Sequence, residues 1–181
     1  TYERILLDHV DSSLPRFTFD HGELEIMSPS AEHERYSRRI DYLLGVLADE
    51  RDVEMEALGS TTFRRPDFER GFEADACFYF KNVERVVGKA ELDMTVDPPP
   101  DLVFEVDVTS PSIPKLPIFA EFGVPEVWRY KSGRLFIYIL KAGSYEEADE
   151  SEVLPGLRAA ALSQLLVQGQ HLSATAWRRL V

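Results

Sequence analysis

The 181-residue chain has one cysteine, Cys77, which excludes an internal disulfide framework and any zinc site built from several thiolates. Long apolar runs are missing as well. Nothing approaches the roughly 18–20 residues of a membrane span, and no signal-peptide pattern opens the chain. Basic residues are scarce, with 20 Lys and Arg against 32 Asp and Glu, a formal net charge of −12. A nucleic-acid binder usually carries a basic stripe, so the charge argues against tight non-specific DNA binding by the surface as a whole. It does not exclude phosphodiester chemistry, because carboxylates gathered for a cation add negative charge that the cation neutralises. These absences point to a reducing cytoplasm and no membrane partner.

What is present is the make-up of an ordinary globular protein. A hydrophobic share of 44% and a charged share of 29% suit a single domain with a substantial core, spanning 1–181. The most informative stretch is Asp101-Leu-Val-Phe-Glu-Val-Asp-Val-Thr109. Its apolar residues read as a strand covered on both faces. Side chains alternate along a strand, so Asp101, Val103, Glu105 and Asp107 share a face, with Glu105 and Asp107 roughly 6–7 Å apart. Carboxylates rarely enter a core unless they are paired or hold a metal.

Other segments supply a framework. Arg16–Phe19 and Glu23–Met27 flank His21-Gly22 as a hairpin. Ser30 is a helix N-cap, and Tyr36, Ile40, Leu43, Leu44 and Leu47 recur at helical spacing from Ala31 to about Glu50. Short strands are expected at 53–57 and 60–63, and a second buried strand at Glu73–Phe80 with Glu73, Asp75, Cys77 and Tyr79 on one face. Asp97-Pro-Pro-Pro100 leads stiffly into the carboxylate strand, and Ser110-Pro-Ser112 closes it. A short helix at 115–122 stops at Gly123. Strands at 125–130 and 134–140 and helices at 159–167 and 174–180 complete an α/β domain with a central mixed sheet.

Asp75 and Glu105, on neighbouring core strands, are two convergent carboxylates able to share a hard divalent cation such as Mg²⁺. Lys115, at the start of the following helix, is close enough in sequence to fold back towards Glu105. Several segments together resemble the Uma-type, restriction endonuclease-like branch of the PD-(D/E)xK nuclease superfamily. They are Gly22-Glu-Leu-Glu-Ile-Met-Ser-Pro-Ser30 with His33, Phe72-Glu-Ala-Asp75, Pro99-Pro-Asp-Leu-Val-Phe-Glu-Val106, Ser110-Pro-Ser112 and Gly123-Val-Pro-Glu-Val-Trp128. Their order and spacing cover about three quarters of the chain.

The resemblance implies a restriction endonuclease-like α/β fold, a central mixed β-sheet flanked by helices. It also implies a Mg²⁺- or Mn²⁺-dependent endonuclease acting on DNA, with Asp75 and Glu105 as cation ligands and Lys115 as catalytic lysine. The superfamily's usual lysine stands two positions after the second acid, where this chain has Asp107; this branch commonly carries it on the next helix, as Lys115 does. Asp107 would then assist a second cation or hold Lys115. The proline usual before the first aspartate is Ala74. His33 matches a motif position, and Glu34 lies where the superfamily often places a glutamate near the metal. A homodimer is the arrangement by which many endonucleases cut both strands.

Each residue also has a plain structural reading. Glu105 could be half of a buried ion pair with Lys115, and Asp75 a strand-end residue bonded to backbone. Glu32 and Glu34 suit a helix N-terminus electrostatically, whatever the function, and His33 could simply cap it. Arg35, Arg38 and Arg39 could face phosphate or form a solvated face paired with nearby acids. Lone Cys77 reads as inert packing. The competing function is a catalytically inactive nuclease-fold module that binds or regulates. A glycosidase using Asp75 and Glu105 as an acid/base pair is a third reading, which the motif order disfavours.

Overall fold

The computed structural model describes residues 15–107 and 113–181. Among these residues ten strands, five α-helices and a short 3-10 helix follow one another, beginning with a hairpin. Strands β1 (Arg16–Asp20) and β2 (Glu23–Met27) pair antiparallel from Arg16↔Met27 to Asp20↔Glu23. Their two-residue turn, His21-Gly22, has positive φ at both positions (45° and 94°), matching the right-handed strand twist. Helix α1 (Ala31–Arg51) follows, and the Ser30 side chain accepts from the His33 backbone N–H as the expected N-cap.

The strands then sort into two sheets. One is four-stranded and antiparallel, in the order β2-β1-β5-β4, with β4 at Thr62–Arg65 and β5 at Arg70–Glu73. The other has six strands, in the order β10-β9-β8-β7-β6-β3. Its members are β3 (Glu56–Ala57), β6 (Ala76–Tyr79), β7 (Leu102–Asp107), β8 (Glu126–Lys131), β9 (Arg134–Lys141) and β10 (Ser144–Ala148). Only β7 and β8 run parallel, across helix α3 (Lys115–Glu121), so this sheet is mixed. The remaining helices are α2 (Val83–Val86), α4 (Ala159–Gly169) and α5 (Ala174–Arg178).

Two apolar layers sandwich the six-stranded sheet. On one face Leu102, Phe104 and Val106 of β7 pack with Tyr36, Ile40 and Leu44 of α1 and with Leu162, Leu166 and Trp177. On the other, Val103 and Val127 pack with Ile118 and Phe119 of α3 and with Phe63 and Phe72 of the smaller sheet. The reading of β7 as a strand covered on both faces therefore holds from Leu102 to Asp107, while Val108, Thr109 and Ser110-Pro-Ser112 lie outside the described residues.

Several sequence expectations need correction. The stretch Glu73–Phe80 is not one strand. It ends β5 in the smaller sheet, crosses at Ala74-Asp75 and begins β6 in the larger one. The crossing breaks the alternation, so Cys77 joins Ala74 in the cluster on the α3 side instead of sharing the Asp75 face. The strand expected at 53–57 shrinks to Glu56–Ala57, and the one at 60–63 shifts to Thr62–Arg65. Strand β10 and helix α2 had no counterpart in the sequence reading; β10 alternates weakly because its residues are exposed or half-buried.

Two buried carboxylates act purely as structural brackets. Asp101 accepts the Phe80 and Lys81 backbone N–H groups at 2.8 and 2.9 Å and closes the connection after β6. Glu126, wholly buried, accepts Trp128 Nε1–H at 2.5 Å and the Glu152 and Val153 backbone N–H groups at 2.8 and 3.0 Å. Two of these three bonds tie the 149–157 connection to the sheet, and the third comes from within β8. Glu126→Gln turns an amide NH₂ towards those donors and is expected to cost about 1–3 kcal/mol, read by chemical denaturation. Helix α4 ends at Gly169, where an added Cβ would lie 2.5 Å from Trp177 Cδ1 and 2.8 Å from an Arg39 guanidinium nitrogen. Gly169→Ala should therefore lower stability by about 1–3 kcal/mol in the same measurement, despite the better helix propensity of alanine.

Candidate active site

The crossing at Ala74-Asp75 delivers Asp75 to the seam between the sheets, where β1, β7 and the start of α1 converge. Pairing between β6 and β7 runs through Ala76↔Phe104 and then stops. The Val106 backbone N–H, two residues further along β7, donates to Asp75 Oδ2 at 2.6 Å. His33 Nε2 lies 2.9 Å from the same oxygen. Arg16 of β1 donates to Asp75 Oδ1, and its second terminal nitrogen to Glu34 Oε1 at 2.5 Å. The first also lies 3.4 Å from His33 Nδ1. A His33 ring protonated on Nε2 satisfies both contacts, giving to Asp75 and accepting from Arg16.

Glu105 occupies the face of β7 towards α3. Lys115, the first residue of that helix, donates to Glu105 Oε2 at 2.7 Å, and both side chains are buried. Burial sets the Lys115 position: its apolar helix neighbours Ile118 and Phe119 lock α3 onto the sheet. Glu105 Oε1 is buried with no hydrogen-bond partner among the described residues. Asp75, Glu105, His33 and Arg16 are each only 3–5% exposed, so their charges interact with little screening by water.

That burial shapes the protonation balance. It pushes the Glu105 carboxyl up to about 7; Lys115 opposes the shift and the negative charge of Asp75 adds to it. Burial pushes Asp75 the same way, but the hydrogen bond from His33 and the charges of Lys115 and Arg16 prevail and hold it below the usual carboxylate range. Lys115 is raised, because Glu105 and Asp75 outweigh its own desolvation. Two neighbouring carboxylates are thereby driven apart in acidity.

The sequence-predicted residues separate into those brought together and those sent elsewhere. Asp75, His33 and Glu34 meet through Arg16, Glu105 meets Lys115, and the two sets act on each other through charge. The plain readings also describe real contacts, since Glu105 pairs with Lys115 and Asp75 bonds a backbone N–H. Asp107 does not hold Lys115; it pairs with Arg129 of β8. Arg39 is no part of a solvated face. It is buried, donates to the Leu172 carbonyl at 3.0 Å and sits over the Trp177 ring. Two members of the site were missed. Arg16 looked like an ordinary hairpin residue, and only a polar residue at the start of an apolar strand hinted at it. Glu25 of β2 accepts the Ile113 N–H at 3.3 Å and adds negative charge near Lys115; its signal was the charge alternating with Leu24 and Ile26.

The donors suit a hard cation. Two carboxylates with backbone or water oxygens are enough for Mg²⁺, and Glu105 Oε1 is a buried acceptor that the described residues leave unpaired. Among the described residues no group of three or more Asp, Glu, His or Cys converges to form an all-protein cage. Cys77 takes no part, because full burial pushes its thiol up to about 12. It should resist a thiol reagent at about pH 9 in the native state and react on unfolding in guanidinium. Arg16→Ala leaves Asp75 buried with less counter-charge and should cost about 3 kcal/mol or more in denaturation experiments.

Among the described residues no helix is long and apolar enough to cross a membrane. None of the curated proteins matches this chain. Among solved structures it is similar to a chain described as a "putative nuclease belonging to DUF820" from Anabaena variabilis. That likeness has a TM-score of 0.60 at 12% identity, covering 83% of this chain and 90% of the other. It establishes a shared fold, a restriction endonuclease-like mixed sheet flanked by helices. The model of the family Uma2, described as "Putative restriction endonuclease", matches residues 1–175, and the chain belongs to that family.

Proposed function

We propose that residues 1–181 form one nuclease domain that hydrolyses DNA phosphodiester bonds with a divalent cation, Mg²⁺ or Mn²⁺, held by Asp75 and Glu105. The observation that carries this reading is Glu105 Oε1, a buried carboxylate oxygen without a partner among the described residues, paired through its other oxygen with Lys115 and acted on by the charge of Asp75. Family membership supports the same class of chemistry. A bound cation supplies Lewis-acid polarisation of the scissile phosphate and lowers the pKa of water.

The remaining work falls to the chain itself. The Lys115 ammonium, fixed by Glu105, orients the attacking water or offsets charge developing on the phosphate oxygens. His33 holds the Asp75 carboxylate in orientation through the 2.9 Å contact. Glu34 fixes Arg16 against Asp75 and so acts as a positioning residue. Asp107, paired with Arg129, is the weakest member of the proposed set.

The competing reading is an inactive nuclease-fold module. It is favoured by one contact, the Arg16 guanidinium on Asp75, which already neutralises a ligand that the cation would need. Calorimetry with Mn²⁺ separates the two. The parent should bind Mn²⁺, and Asp75→Ala and Glu105→Ala should each weaken binding at least tenfold; equal binding by all three rejects the site. Nicking of supercoiled DNA should require the cation and fall by about 10²-fold or more in Lys115→Ala. Cation binding without any nicking would favour the inactive module.

A further inference from the structure

A hollow of about 460 Å³ opens between α1 and the C-terminal segment, and every charged residue in its wall is basic. Arg35, Arg38 and Arg39 come from α1 and Arg178 from α5, with His171 between them. In a chain of net charge −12, four guanidinium groups meet there with no carboxylate lining the space. Among the described residues none of the four makes an ion pair with the protein. Glu32 lines an adjoining hollow that shares Arg35 and Arg39 with this one, and a further hollow beside Asp107.

The arrangement is built into the core. Arg39 is 4% exposed, lies over Trp177, and has its Nε and one terminal nitrogen buried without partners. Gly169 provides the room for this, since a Cβ there would meet both Trp177 and Arg39. Arg178 is held over the Tyr42 ring, 4.6 Å from its centroid. Gathering like charges without counter-charge opposes folding, so the cluster suits an anion with several acceptor oxygens, for which the guanidinium fork is well shaped.

The hollow shares one wall residue, Arg38, with the space beside the candidate active site. A second hollow of about 300 Å³ is lined by Arg16, Glu34 and Asp75, and Arg38 lines both. We infer that the basic hollow is a phosphate subsite, taking a backbone phosphate of the nucleic-acid strand whose neighbouring segment lies in the Asp75 cleft. The inference rests on the nuclease reading for the identity of that strand. Arg35 and Arg178, both exposed, contact the phosphate directly, and Arg38 bridges towards the cleft.

The test is fluorescence anisotropy of the full chain with labelled single-stranded and duplex oligonucleotides in EDTA across a salt series. The pair Arg35→Glu/Arg178→Glu should lose at least tenfold in affinity and lower the slope of log Kd against log salt by about one, for the one phosphate they share. The milder Arg35→Gln/Arg178→Gln should move in the same direction. Lys89→Glu/Lys141→Glu, with the same change in net charge but lining neither hollow, should bind like the parent.

No oligonucleotide binding by the parent overturns the subsite, as does an equal loss in both charge-reversed pairs. Arg35-dependent stabilisation by inorganic phosphate alone, without oligonucleotide binding, would identify a free-phosphate pocket and also overturn it. The nuclease reading fails separately. If Glu105→Gln binds oligonucleotide like the parent and the parent never nicks DNA, the subsite stands and catalysis does not. If nicking persists with unchanged KM in Arg35→Glu/Arg178→Glu, the subsite falls and the catalytic reading stands.

Discussion

The short hydrogen bond from the Val106 N–H to Asp75 Oδ2 is the contact on which the arrangement of this protein depends. It occurs where the β6–β7 ladder has run out and the chain is crossing between sheets. A backbone N–H at such a seam would otherwise be buried without a partner, at a cost comparable to a lost hydrogen bond. A carboxylate meets that need but brings a charge into the core. Arg16 and His33 are the response, and through them the first strand and the first helix are tied to the centre of the larger sheet.

The same logic repeats at the neighbouring residue of the strand. Glu105 faces the layer containing α3, and Lys115 answers its charge while leaving Oε1 unpaired. Compare Glu126 and Asp101, equally buried carboxylates whose oxygens are occupied by backbone and indole N–H donors. Those two have a complete structural explanation. Glu105 does not, and the difference lies in one oxygen atom, since buried acceptors in folded proteins are as a rule hydrogen-bonded. Partly satisfied charge thus gathers at this seam and at Arg39, whereas Asp101 and Glu126 are fully engaged.

Much of the framework was legible in the chain because it is locally encoded. The first hairpin, the Ser30 cap, helix α1, the carboxylate strand, α3 and the β8–β9 hairpin all follow from periodicity, turn residues and caps acting over a few positions. The failures share a cause. Glu73–Phe80 has the composition of one strand, and nothing local reports that its two halves hydrogen-bond to different partners. Arg39 sits among exposed arginines in sequence, and its burial is decided by Trp177, well over a hundred residues away. Strand β10 pairs at an edge, where half-exposed side chains erase the alternation that would reveal it.

By itself the sequence determined most of the elements, the family to which the chain belongs and the carboxylates that required an explanation. Those depend on residue type and short spacing. The pairing of Lys115 with Glu105 was already suggested by the chain, but tertiary structure alone decided that Arg16 meets Asp75 and Arg129 meets Asp107. These pairings span from 10 to 59 positions. They are chosen by how two sheets and two helices pack, and side-chain charge has no preferred partner until burial removes the water that would otherwise screen it.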